Sequence, residues 1–207
     1  ATLLHQPQGG KGILLGGVPA AKRGRVVVLG GGVAGGNAAL VAAALGAEVT
    51  VFDTDRDKLV MARALGANVT GLYPHLSDVA DAVRQADIAI GAVLVTGARA
   101  PHVITAEMVR TMQRGSVIVD ISVDQGGCVE TTKPTTYDAP TYVWEGVTHF
   151  AVTNMPGAVP RTSSQALSAA IAPYASRLAE SGWRDDAGLA RGINIDAGKV
   201  VHPALMS

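Results

Sequence analysis

The chain has 207 residues, 48% hydrophobic and only 16% charged, which supplies a large core and argues against disorder. Lys plus Arg balance Asp plus Glu at 17 each, so no basic surplus exists to drive binding to nucleic acid or to a membrane surface. The one cysteine, Cys128, excludes an internal disulfide and fits a reducing, cytoplasmic setting; neither a signal peptide nor an apolar run of bilayer length is expected.

The chain opens on Ala1 rather than Met, and ATLLHQPQGGKG has no start signal, as expected where a chain enters mid-element. Residues 2–6 read as the tail of a helix stopped by Pro7 and the glycines after it. Residues 11–19 read as an apolar segment and a glycine loop, so 1–24 is expected to be a linker.

The stretch RVVVLGGGVAGGNAALVAAALGAEVTVFD, residues 25–53, carries the strongest pattern in the sequence. Val26 to Leu29 is a strand of the kind buried on both faces. Gly30, Gly32 and Gly35 then give the spacing G-x-G-x-x-G, residues 37–45 an alanine-rich helix, and 48–52 a second strand ending in Asp53. The first glycine permits the tight turn, the second lets backbone approach a pyrophosphate, and the third lets helix and strand pack closely. The helix N-terminus presents N–H groups and partial positive charge to the phosphates. Asp53 stands 23 positions past Gly30, near the roughly 20 expected of the carboxylate that binds an adenosine ribose. An acid there favours the free 2′-hydroxyl of NAD over the 2′-phosphate of NADP. NAD is the expected cofactor.

Further along, residues 56–65 form an amphipathic helix ended by Gly66, and 68–72 a third strand. Residues 77–85 form a helix with Ser77 as its cap, and DIAIGAVL (87–94) a fourth strand. A helix over 105–112 starts T-x-x-M, and SVIVDI (116–121) is a fifth strand whose end carries Ser122 to Gly127. Residues 141–144 suggest a short strand, and THFAVT (148–153) a sixth that opens into Asn154, Met155, Pro156 and Gly157. A long helix over 163–181, capped by Thr162 or Ser163 and kinked at Pro173, leads to a short helix near 186–191. A strand pair around INIDAGKVVH then turns at 196–198. The alternation of strand and helix specifies a Rossmann-like, doubly wound parallel sheet with helices on both faces. The expected division is a linker over 1–24, a nucleotide-binding domain over 25–162, and a long helix with a C-terminal segment over 163–207.

Ligands of open α/β sheets bind beyond the carboxyl ends of the strands. Asp124, at such an end, either faces the nicotinamide and orients a water or a basic group, or caps its own turn. Asn154 suits a carboxamide or ribose, or is a turn asparagine. Lys58 and Lys133 are each either ribose contacts or solvated surface lysines. His149 reads as a satisfied core residue and Cys128 as a packed small one. The five histidines show no metal-ligand spacing, and neither a G-x-S-x-G elbow nor a phosphate-binding G-x-x-x-x-G-K-S/T loop occurs.

Taken together, GGKGILLGGVP, VVVLGGGVAGGNAA, ADIAIGAVLVTGARAP, GSVIVDISVDQGGCVETTKPTTYDAPTY and VTNMPGAVPRTSSQAL resemble the nucleotide-binding half of the L-alanine dehydrogenase family, related to the nicotinamide nucleotide transhydrogenases. The resemblance implies oxidative deamination of L-alanine to pyruvate and ammonia with hydride transfer to NAD. It implies Asp124 as the active-site aspartate, Asp53 and Lys58 at the adenosine ribose, and Val33 and Ala34 under the pyrophosphate. Lys133 stands where the family often has arginine. Ala92, Val93, Ile121, Ser122, Val123, Val152, Asn154 and Met155 would line the dinucleotide cleft. Some members bind magnesium through a Glu and a His on the long helix; Arg177 and Ser181 fall at those places, so no metal site is expected. The N-terminal substrate domain has no counterpart here, so the chain alone is expected to bind NAD and to turn over alanine poorly or not at all. The segment 185–207, which in the family folds back toward that domain, is expected to expose an apolar patch. Similar enzymes are homo-oligomers, usually hexamers. A transhydrogenase-type subunit and a non-catalytic NAD-binding module are the competing readings.

Overall fold

A computed structural model describes residues 1–94 and 101–206; part of the ADIAIGAVLVTGARAP stretch thus lies outside the described residues. The chain divides into two compact units, Ala1–Thr153 and Asn154–Ser207.

The first unit is built on a seven-stranded sheet. Its strands are β1 (Arg25–Leu29), β2 (Glu48–Phe52), β3 (Val69–Leu72), β4 (Ile88–Gly91), β5 (Val117–Asp120), β6 (Thr141–Trp144) and β7 (Val147–Phe150). They lie in the order β3-β2-β1-β4-β5-β7-β6. All neighbours pair in parallel except β6, which folds back antiparallel on β7 and closes that edge. This is the doubly wound order, reversing direction between β1 and β4.

Strand residues alternate between two apolar layers, as a pleat buried on both faces requires. Val27 and Leu29 of β1 pack under α3 (Leu76–Gln85) and α4 (Ala106–Thr111) with Val83 and Val109. Val26 and Val28 face the other way, against α1 (Val33–Ala44) and α2 (Arg56–Arg63) with Ala39 and Ala62. Alanine along α1 keeps that helix close to the sheet.

The first 24 residues belong to the same body. Leu4 and Leu15 are buried in the α1–α2 layer, and Lys11 Nζ meets Asp87 Oδ1 at 2.7 Å with both side chains largely covered. Residues 2–8 form two 3-10 turns, Thr2–Leu4 and Gln6–Gln8, rather than a helix tail; Pro7 is the second residue of the second turn, where a missing N–H costs nothing.

The second unit holds α5 (Pro160–Leu178), α6 (Ala187–Arg191) and the hairpin β8 (Ile195–Asp196) with β9 (Lys199–Val200). α5 starts three residues before the expected 163, with Pro160 in its first turn, so neither Thr162 nor Ser163 caps it; Ser163 Oγ instead donates to the Pro156 carbonyl at 2.8 Å. The helix runs on through Pro173. Among its described residues this unit buries none, and Leu167, Ile171, Tyr174 and Leu178 make an exposed apolar stripe at helical spacing along α5. No helix among the described residues is long and apolar enough to cross a membrane.

Candidate functional site

The carboxyl ends of β1, β2 and β4 open on one cleft of about 730 Å3. The chain leaves β1 and turns at Gly30, whose φ is +99° and whose missing Cβ would stand 2.5 Å from the Ala92 carbonyl oxygen. α1 then starts at Val33, four residues earlier than the alanine run suggests, with Gly32 as N-cap and no side-chain cap. Val33 and Ala34 therefore bring first-turn N–H groups and the positive end of the helix to the cleft. A Cβ on Gly32 would meet nothing within 4 Å, so the backbone there is open to a ligand. Gly35 lies behind, its Cβ position overlapping the Gly30 carbonyl oxygen. Gly30 thus makes the tight turn, Gly35 permits the close approach of helix and turn, and Gly32 leaves open backbone beside a helix N-terminus, the chemistry that suits an anion.

Asp53 closes β2 at the other end of the cleft. Its carboxylate is 8% exposed. Oδ2 accepts from Gly31 N at 2.7 Å and Oδ1 from Asp55 N at 2.8 Å, which fixes the group across the glycine turn. A carboxylate has about four acceptor positions, so two remain for ligand hydroxyls. Lys58 Nζ stands 3.6 Å from Asp53 Oδ2 and 4.0 Å from Asp55 Oδ2. Asp55 caps α2 by accepting from Asp57 N.

Of the expected cofactor residues, Gly30, Gly32, Val33, Ala34, Asp53, Lys58, Ala92 and Val93 all line this cleft. Ile121, Ser122, Val123 and Asp124 share the 3-10 turn Ile121–Gln125 that follows β5. Ser122 and Val123 are buried there and Asp124 is exposed; Ser122 Oγ donates to the Val93 carbonyl at 2.7 Å. Lys133 is exposed, and its backbone N–H donates to Tyr142 Oη at 2.8 Å. Val152 is buried and bridges to Thr135. Asn154 and Met155 open the second unit; Asn154 has φ +52°, a left-handed turn conformation that asparagine tolerates.

Sequence reasoning missed part of this site. Pro74, Leu76 and Val79 form an apolar side of the cleft, which His102 also lines; the spacing of Leu76, Val79 and Val83 is the signal that α3 faces inward. Ser77 does not cap that helix, which begins at Leu76 after His75, and its hydroxyl turns to Asp78 instead. Asp120, fully buried at the end of β5, is the other omission. A lone acid inside VIVDIS must find donors if it is buried, and that is the readable clue.

The two groups read as structural behave so. His149 is buried, with Nδ1 3.0 Å from the Val147 carbonyl, Nε2 2.8 Å from Thr131 Oγ1, and its ring stacked on Tyr142. Burial lowers its pKa from the usual 6.5. The unfolded chain thus binds a proton more readily than the native one. Stability is expected to be full above about 6.5 and to fall as pH drops through the lowered native value, visible in a pH series of melting curves that His149→Gln flattens. For Cys128, burial and then the Asp120 charge push the thiol up to about 12. With about one thiolate in ten thousand at pH 8, the native chain should react with a disulfide reagent far more slowly than the unfolded chain.

The sheet order, the glycine turn and the acid after β2 define a Rossmann-type nucleotide-binding domain. The profile described as "Alanine dehydrogenase/PNT, C-terminal domain" matches residues 1–203, and the chain belongs to that family. It is 49% identical over 211 residues to alanine dehydrogenase of Geobacillus stearothermophilus, covering 99% of this chain and 56% of that protein. A solved structure of L-alanine dehydrogenase matches 100% of this chain and 58% of that one, with 50% identity and a TM-score of 0.90. The crystal structure of transhydrogenase from Sinorhizobium meliloti matches 93% of this chain and 55% of that one, with 26% identity and a TM-score of 0.77. The chain spans little more than half the length of the curated relatives it matches.

Proposed function

We propose that this chain is the NAD-binding part of an L-alanine dehydrogenase, which converts L-alanine to pyruvate and ammonia. The observation that carries the reading is Asp53, braced by Gly31 N at 2.7 Å at one end of a glycine-lined cleft. Its spare acceptor positions suit the two ribose hydroxyls of NAD, and its charge repels a 2′-phosphate. Lys58 flanks the same ribose. Gly30, Gly32, Val33 and Ala34 hold the pyrophosphate, and Ala92, Val93 and the 121–123 turn flank the nicotinamide. Gly35 sets the helix that cradles the phosphates. Asp124, on that same turn, orients the reacting substrate, while Lys133 and Val152 support the surrounding loops. NAD, when bound, would supply the hydride acceptor for oxidation at the alanine Cα.

Substrate grip is assigned to the remaining length of the relatives. The α5 stripe of Leu167, Ile171, Tyr174 and Leu178 is the surface proposed to pack against it, and 163–207 belongs functionally to that side. Homo-oligomeric assembly and a cytoplasmic location complete the reading; the buried, thiol-form Cys128 suits such a compartment.

The test is to titrate the chain with NADH by fluorescence, then assay alanine and NAD with and without a separately expressed substrate domain. Binding alone, with NADH production only when the partner is added, is the expected result. The likeness to transhydrogenase supports one competing reading, for which hydride exchange between two nucleotides without alanine would be the mark. No binding of NAD or NADH by the folded chain would end the dinucleotide reading altogether.

A further inference from the structure

Asp120 ends β5 beside Gly91 of β4 and is fully buried. Its Oδ1 accepts from Ser122 N at 3.0 Å and lies 3.5 Å from Cys128 Sγ. Its Oδ2 accepts from Cys128 N at 3.0 Å, Val129 N at 3.1 Å and Thr132 Oγ1 at 2.6 Å. One carboxylate thus gathers both limbs of the loop that leaves β5 and returns past Gly126-Gly127. The room for it is made by glycine, since a Cβ on Gly127 would stand 2.8 Å from Oδ2 and one on Gly91 3.4 Å from Oδ1.

The second half of the network points at the cleft. Ser122, held through its N–H by Asp120, donates its hydroxyl to the Val93 carbonyl at 2.7 Å. Val93 lines the cleft, and Asp124 stands two residues beyond Ser122 on the same 3-10 turn. In a doubly wound sheet the adenosine end of a dinucleotide lies over β2 and the nicotinamide end over β4 and β5. The chain Asp120–Ser122–Val93 therefore spans the two loops between which a nicotinamide would sit.

We propose that Asp120 is a positioning residue for the nicotinamide half of the cleft: acting through Ser122, it sets the separation between Val93 and the turn that bears Asp124. This rests on the dinucleotide reading given above. Removing the network loosens one half of the site and leaves the Asp53 half as it was.

ADP-ribose, which lacks only the nicotinamide ring, separates the two halves. Dissociation constants for NADH and ADP-ribose are measured on the chain and on Asp120→Asn and Ser122→Ala. Asparagine keeps the volume but turns an N–H2 toward groups that donate, whereas Ser122→Ala removes only the tie to Val93 and serves if the first variant fails to fold. The expected result is ADP-ribose affinity within about twofold of the parent and NADH affinity reduced roughly tenfold, the size of effect that one hydrogen bond can carry. Parallel losses for both ligands would reduce Asp120 to a general staple of the fold, and unchanged NADH affinity in Ser122→Ala would remove the link to Val93; either overturns the proposal. A parent chain that binds neither ligand overturns the dinucleotide reading itself, and the proposal with it.

Discussion

Asp53→Ala is expected to weaken NAD binding by about 1.5–3 kcal/mol, the worth of hydrogen bonds to a charged acceptor, or roughly 10- to 150-fold in dissociation constant. NADP should respond in the opposite sense or hardly at all, because the substitution removes the charge that repels its 2′-phosphate and leaves Lys58 beside the vacated position. The ratio of the two affinities is therefore the decisive quantity. Asp53 also accepts from Gly31 N and Asp55 N, so a slackened glycine turn would add to the loss. Asp53→Asn separates these effects: it retains an acceptor for Gly31 N while losing the charge. Its melting temperature should stay near that of the parent, with NADP discrimination gone. Equal NAD affinity in all three proteins would remove Asp53 from the site.

Much of the architecture was legible because its causes are local. The strands β1, β2, β4 and β5 are apolar runs buried on both faces, and such runs stand out from their flanks. Asp53 and the glycines were readable for the same reason, since each sits next to a strand whose end is plain. Helix starts were less so. α1 begins at Val33 although Gly35 and Gly36 are poor helix formers, because packing against the sheet outweighs about 1 kcal/mol of propensity per glycine. The antiparallel β6 edge is a tight hairpin in which Trp144 pairs with Val147 across Glu145 and Gly146, both at positive φ, and its cue was masked because glutamate stands where such turns favour Asn, Asp or Gly. Asp120 was hidden because its partners Cys128, Val129 and Thr132 lie beyond two glycines, and only the fold returns them to it.

Two glycines between β1 and the first turns of α1 should answer the same substitution differently, one through stability and the other through binding alone. In Gly35→Ala the new methyl overlaps the Gly30 carbonyl oxygen, a backbone atom, and reaches 3.1 Å from the Ala92 Cβ. Neither neighbour is the free end of a flexible side chain, so α1 must shift away from the turn. Overpacking against backbone is expected to cost about 3 kcal/mol or more, which for a chain of this size lowers the melting temperature by roughly 6–12 °C. NAD binding should fall with it, since the N-terminus of α1 moves. Gly32→Ala adds the same methyl where nothing of the protein lies within 4 Å, at a backbone φ of −67° that alanine adopts freely. Its melting temperature should change by the equivalent of less than about 1 kcal/mol, the size of an N-cap preference. The methyl now projects into the cleft where a pyrophosphate must approach the backbone, so NAD affinity should drop roughly tenfold or more, about 1.4 kcal/mol. Calorimetric melting and ligand titration on both variants check this. A Gly32→Ala protein that binds NAD as well as its parent would mean that the phosphates do not lie over this turn.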